Sequence, residues 1–199
     1  MNQTETGMVI KDSTGNPAPL GLLGFGTTTI LLNLHNIGLY EVNAMILGMG
    51  IFVGGFAQVI AGYQEWKKNN TFGATAFTAY GMFWLSFVVI VLLPGTTMGA
   101  ALKSSESGVG CYLLLWGLFT LFMFFATLKL NRLLQVVFST LTVLFFLLAY
   151  GAFTANPSVD TLAGYVGLLC GGSAFYGAVA QVINEVYGRT ILPVGNRKN

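Results

Sequence analysis

Charge is scarce in this 199-residue sequence. Asp, Glu, Lys and Arg make up 8% of it, against about a quarter of an average soluble domain. With 54% hydrophobic residues and 26 glycines, that scarcity excludes an ordinary water-soluble domain and makes the chain an integral membrane protein. Histidine occurs once, at His35, beside Asn33 and Asn36. There is no Gly-x-Ser-x-Gly, no His-Glu-x-x-His and no carboxylate pair at helical spacing within a hydrophobic span, so no enzyme is expected. The two cysteines, Cys111 and Cys170, lie in apolar segments without metal-like spacing. They read as small buried hydrophobes, and neither a metal nor a cofactor is expected. No basic cluster interleaves with aromatics, and a net charge of +2 offers nothing to nucleic acid. The first sixteen residues are polar and have no apolar h-region, so no cleavable signal is expected.

What is present is a series of six hydrophobic segments, at about 20–34, 42–63, 74–93, 109–128, 134–154 and 162–186. Each of the last five has about twenty residues or more, enough for a helix to cross a bilayer core roughly 30 Å thick. The connections are short except 95–108, and 156–158 (Asn-Pro-Ser) reads as a turn. The expected organisation is a polar N-terminal tail over 1–15, a six-helix membrane domain over 16–190 and a C-terminal tail over 191–199. Eight of the nine Lys and Arg fall on one side of this arrangement: Lys11, Lys67, Lys68, Lys129, Arg132, Arg189, Arg197 and Lys198. The positive-inside rule makes that side, and both termini, cytoplasmic.

The first segment opens on Asn16-Pro17-Ala18-Pro19-Leu20-Gly21. Asn16 is a suitable N-cap, and proline suits a first helical turn. Each proline also disfavours a helical conformation in the residue before it, so the helix is expected to begin at about Pro19. From Leu20 to Leu34 it would then have only about fifteen residues, or roughly 22 Å at 1.5 Å per residue. Such a helix must start inside the membrane, where its unpaired N–H groups and positive dipole end favour a carboxylate or carbonyl group.

Polar side chains inside the spans carry the rest of the argument, because in hydrocarbon they face the bundle interior or a watery path. Counted in helical steps from Phe25, one face of the first helix carries Thr29, Asn33 and Asn36. The second segment adds Gln58, the third Thr75, Thr78 and Tyr80, and the sixth Ser173, Gln181, Asn184 and Glu185. Ala57-Gln58-Val59-Ile60 recurs as Ala180-Gln181-Val182-Ile183, each ahead of a glutamate, Glu65 or Glu185, an echo that pairs two helices running in the same direction as candidates for lining a shared path. Gly50/Gly54 and Gly167/Gly171 have the spacing of close helix contacts. The fifth segment, with Phe138, Phe145, Phe146 and Leu147, is bulky and almost without polar groups, and is expected to face lipid or another subunit. The residues by themselves thus reach a small-solute channel or carrier with a preference for carboxylate.

Several stretches together resemble the acetate uptake transporter family, the acetate–succinate permeases. They are Asn16-Pro17-Ala18-Pro19-Leu20-Gly21-Leu22 with Gly24-Phe25-Gly26, Leu32-Asn33-Leu34-His35-Asn36, Asn70-Thr71-Phe72-Gly73, residues 118–125, Asn184-Glu185 and Gly188-Arg189-Thr190. The likeness runs from Asn16 to about Gly195. It implies an all-α protomer of six transmembrane helices around its own central pore, assembled as a homohexamer in the inner (cytoplasmic) membrane. It further implies passage of acetate and, less readily, succinate, with involvement of protons. By the matching motifs, the pore would narrow at Phe25, Tyr80 and Leu141, and Ala174 would bear on substrate size. Leu141 brings the fifth helix to the pore, against the reading of its composition. Asn16, Thr29, Asn33, Gln58, Ala174, Gln181, Asn184 and Glu185 are then the candidate path residues, with Pro17, Pro19 and Gly21 as the structural motif. A channel for neutral solutes such as urea or ammonia is the competing transport reading, and a non-transporting scaffold is a further one.

Overall fold

A computed structural model describes residues 14–195, so the expectations for 1–13 and 196–199, including Lys11, Arg197 and Lys198, lie outside the described residues. Six helices follow one another: α1 Ala18–Asn36, α2 Ala44–Lys67, α3 Thr71–Leu92, α4 Glu106–Thr127, α5 Arg132–Thr154 and α6 Pro157–Tyr187. Short 3₁₀ turns, Leu93–Gly95 and Ala100–Leu102, occupy the longest connection. Five helices, α2 to α6, are long and apolar enough to cross a membrane.

Each helix opens on an asparagine or serine whose side-chain oxygen accepts from a backbone N–H of the first turn. Asn16 caps Ala18 (3.1 Å), Asn43 caps Met45 (3.0 Å), Asn70 caps Gly73 (3.0 Å), Ser105 caps Gly108 (3.1 Å), Asn131 caps Leu134 (2.9 Å) and Asn156 caps Ser158 (3.1 Å). These caps satisfy donors that a helix end leaves unpaired.

Two helix starts differ from the sequence reading. The first helix begins at Ala18 and has 19 residues, not fifteen, because Pro17 is already in the right-handed region (φ −80°, ψ −19°) and its carbonyl accepts from Leu20 N and Gly21 N. The restriction that Pro19 places on Ala18 is overridden by that first turn and the Asn16 cap. Pro157 does not make a turn but starts α6, where its missing N–H costs nothing in the first helical position. Within α2, Gly50–Ala57 is π-helical, a widening found often at functional sites.

Helix α1 is the central element, packed chiefly on α6 and also against α2 and α3, while α4 packs on α5 and α5 on α6. The α1–α6 seam is backbone against backbone: a Cβ on Gly26 would come 2.6 Å from Phe175 N, and one on Gly171 would come 2.9 Å from Gly26 O. At Gly167 the missing side chain makes room for the Asn33 amide. Helix α5 does not lie outside the bundle as its composition suggested. Val137, Phe138, Leu141, Leu144 and Phe145 are all buried in the main apolar cluster, and the exposed large apolar side chains are Val136, Val143, Tyr150 and Phe153.

The chain after α6 folds back as a strap. Asn184 Oδ1 accepts from Ile191 N (2.7 Å) and Leu192 N (2.9 Å), and its Nδ2 donates to Leu192 O (2.7 Å). Tyr176 donates to Pro193 O, and the backbone N–H groups of Arg132 and Leu133 donate to Gly195 O and Val194 O. The expected C-terminal tail is therefore fixed, over residues 191–195, against the start of α5.

Two outcomes follow for the purified protein in detergent. Gly167→Ala lowers thermal stability by about 1–3 kcal/mol through overpacking against Asn33, whereas Gly172→Ala, with open space at its Cβ, leaves it unchanged or raised. Asn184→Ala removes three hydrogen bonds worth together roughly 1.5–4 kcal/mol, so limited trypsin digestion at Arg189 should become faster than in the unaltered protein.

Candidate functional site

Three of the six helices, α1, α3 and α5, begin at the same end of the bundle, around one cavity of about 750 Å³. Asn16, Pro17 and Ala18 of α1, Asn70, Phe72 and Gly73 of α3, and Asn131, Leu133 and Leu134 of α5 all line it. Each helix N-terminus carries the equivalent of roughly half a positive charge, and each C-terminus the opposite. The ends of α2, α4 and α6 reach the same cavity, through Glu65 and Lys68, Lys129 and Leu130, and Gln181 and Glu185, so the helix ends nearly cancel in sum. The charged side chains on the cavity wall are Lys68, Lys129, Glu65 and Glu185, two of each sign. What the three helix starts supply is local: N–H groups and positive dipole ends at three places on the wall.

Depth along the cavity follows from position in the helices. Phe25 is seven residues into α1, Tyr80 nine into α3 and Leu141 nine into α5, which puts them at a common level roughly 10–14 Å from the three starts. They are the deepest lining residues of their helices, and all three are buried. Helix α2 runs the other way, and Gln58, nine residues before its end, reaches the same floor. The floor is thus two aromatic rings, a leucine and one amide. Phe25 and Tyr80 have ring centroids 5.9 Å apart, and Phe138 is 6.0 Å from Tyr80 on the other side.

The Tyr80 hydroxyl is turned away from a polar role at this floor. Thr120 Oγ1 donates to Trp116 O at 2.7 Å, so in the 2.8 Å contact between Tyr80 and Thr120 the phenol is the donor. The cavity meets the ring of Tyr80, held by Trp116 and Phe119 with centroids 5.9 and 5.7 Å away. Thr120 was not singled out by the sequence, although it lies within the motif stretch 118–125.

The polar residues divide between the cavity and the packing. Asn16, Gln58, Gln181 and Glu185 line the cavity, as does Pro17. Both glutamines and both glutamates of the internal echo meet there, Gln58 with Glu65 and Gln181 with Glu185. Asn16 Nδ2 donates to Gln181 Oε1 (3.1 Å), joining the start of α1 to α6. Gln58 Oε1 is buried without a partner.

Thr29, Asn33, Ala174 and Asn184 are not part of the lining. Asn33 donates to Thr29 O (2.8 Å) and accepts from Asn36 (3.1 Å), which makes it a bridge within α1. The Thr29 hydroxyl is buried and unpartnered. Ala174 is fully buried behind the lining on α6, and Asn184 is occupied by the strap. Pro19 and Gly21 serve α1 itself, with Gly21 pressed by the ring of Phe77. Glu65, named in the sequence only as the glutamate that follows the echo and not as a path residue, also lines the cavity. Its spacing of seven from Gln58, two turns along the same face, was the available signal.

Comparison with known proteins accords with this architecture. The family model described as GPR1/FUN34/yaaH matches residues 2–195. The chain is 57% identical over 180 residues to the succinate-acetate/proton symporter SatP of Escherichia coli K12, covering 90% of this chain and 95% of that protein. It is 38% identical over 173 residues to ammonia transport outward protein 2 of Saccharomyces cerevisiae, covering 84% of this chain and 61% of that protein. The solved structure of the bacterial acetate channel SatP matches with a TM-score of 0.89 and 56% identity, over 92% of this chain and 100% of that one. The chain is a multi-pass membrane protein that belongs to the GPR1/FUN34/yaaH family.

Proposed function

We propose that this protein carries acetate, succinate and other short carboxylates across the inner membrane, with a proton accompanying the solute. The observation that carries this reading is the cavity: three capped helix N-termini surround its mouth, and Phe25, Tyr80 and Leu141 close its floor. The helix starts, with Lys68 and Lys129, offer a carboxylate N–H and cationic partners at the mouth, and the floor selects against charge. Moving an ionised group into apolar surroundings costs several kcal/mol even after relaxation, whereas a neutral hydrogen-bonding group costs about 1–3. The neutral acid is therefore the form favoured at the Phe25–Tyr80–Leu141 level. Its hydroxyl has an acceptor there in Gln58 Oε1. The SatP relative named as a proton symporter supports the same coupling.

The orientation that places both termini in the cytoplasm rests on the basic residues gathered at that end, among them Lys67, Lys68, Lys129, Arg132 and Arg189. On that orientation the cavity opens to the cytoplasm. Assembly as a homohexamer rests on the family resemblance and suits the large apolar side chains exposed on the outer faces, such as Phe52, Phe122 and Leu115. Ala174, packed behind the wall on α6, acts on solute size through the distance of α6 from the path.

The yeast relative named for ammonia favours a second reading, passage of a small neutral solute. Competition separates the two, since acetate uptake by a carboxylate path is inhibited by propionate or succinate and unaffected by urea. In proteoliposomes, labelled acetate should enter faster under an inward proton gradient and lose that advantage with a protonophore. Leu141→Ala, which removes one wall of the floor, should raise succinate flux relative to acetate several-fold. An unchanged ratio in a well-folded Leu141→Ala protein would remove Leu141 from the path.

A further inference from the structure

Glu65 is 2% exposed, yet it lines the cavity. It lies two residues before the end of α2, so it stands at the mouth, two turns above Gln58 on the same helix face. Its Oε2 accepts from Asn70 Nδ2 at 2.8 Å, and its Oε1 is buried with no hydrogen-bond partner. Gly73 of α3 is in direct contact with the carboxyl: a Cβ there would fall 2.9 Å from Glu65 Cδ. An ionised carboxylate on the path of a carboxylate repels it, and an unpartnered buried oxygen is costly. Neither feature suits a purely structural acid.

We propose that Glu65 hands the proton to the transported carboxylate. The proposal rests on the carboxylate reading above. In its acid form Glu65 donates from Oε1 to a carboxylate held at the mouth. The Glu65 O–H bond breaks, an O–H bond forms on the solute, and the electron pair of the broken bond remains on Glu65, which becomes the anion. The neutral acid moves on towards Gln58 and the apolar floor, and a proton from bulk water restores Glu65. In the opposite direction the anion of Glu65 takes the proton back as the acid arrives at the mouth.

The charged groups around Glu65 fit this role. From the turn after α2, Lys68 is close enough to act on its charge, and Lys68 also donates to Thr14 O. Across the cavity stand Lys129, between α4 and α5, and Glu185 of α6. The lining residues of α1, α3 and α5 present no acidic or basic side chain to it. The anion left behind by proton transfer thus has cationic neighbours, and Asn70 holds it through either state.

The test is uptake of labelled succinate by proteoliposomes of the full protein, unaltered and Glu65→Gln, from pH 5.5 to 8. Glutamine keeps an acceptor for Asn70 but has no proton to give. In the variant only solute that arrives already neutral can cross, so its flux falls with the neutral fraction of the solute, whereas the unaltered protein also draws on the anion. The ratio of unaltered to variant flux should therefore rise several-fold from pH 5.5 towards pH 8 and level off once Glu65 itself is mostly ionised. A ratio that does not change with pH, whether near one or uniformly large, overturns the assignment. No carboxylate flux in the unaltered protein would overturn the transport reading itself, a result distinct from failure of the Glu65 step. If Glu65→Gln does not fold, Glu65→Asp decides: lower flux with the pH dependence retained supports the relay, and flux equal to the unaltered protein at every pH overturns it.

Discussion

A helix start leaves backbone N–H groups that need an acceptor, and the arrangement of this bundle depends on how its helix starts meet that demand. Five asparagines and one serine each cap the helix they precede. Three of these capped starts, on α1, α3 and α5, stand around one cavity, and the ends of α2, α4 and α6 reach it as well. Positive and negative helix ends therefore share the wall with two lysines and two glutamates, and the cavity offers places for an anion without a net charge of one sign.

Close packing of α1 against α6 is the other requirement. Gly26 and Gly171 let the two backbones touch, and Gly167 accepts the Asn33 amide as if it were its own side chain. This seam holds α1 at the centre and so fixes the height of Phe25. On α3 the same height is fixed for Tyr80 by the bond from its phenol to Thr120, whose own proton is committed to Trp116. Level alignment of the floor residues is thus a consequence of helix starts, a glycine seam and one directed hydrogen bond acting together.

Much of this was legible in the sequence. The six segments, the apolar spans, the Asn-Pro-Ala-Pro opening and the pairing of Gln58 and Gln181 could be read from composition and spacing. Helix α5 could not, because a side chain facing lipid and one facing a buried core are equally apolar, so Phe138 and Phe145 carried no mark of direction. Asn184 was assigned to the path because a neutral amide near a helix end looks the same whether it awaits a solute or binds the chain seven residues later. The start of α1 was placed late because the local restriction before Pro19 was given more weight than the Asn16 cap. The π-helical stretch of α2 has no composition of its own beyond its glycines.

The gathering of three helix starts around one cavity also makes the path lopsided in structure. Such a lopsided path does no work: at equal solute concentrations and no driving gradient, its net flux is zero. On the carboxylate reading, solute is held among the helix starts and lysines of that cavity before any step across the floor, so the two faces saturate unequally. A direction-dependent response, a form of rectification, then needs no moving gate.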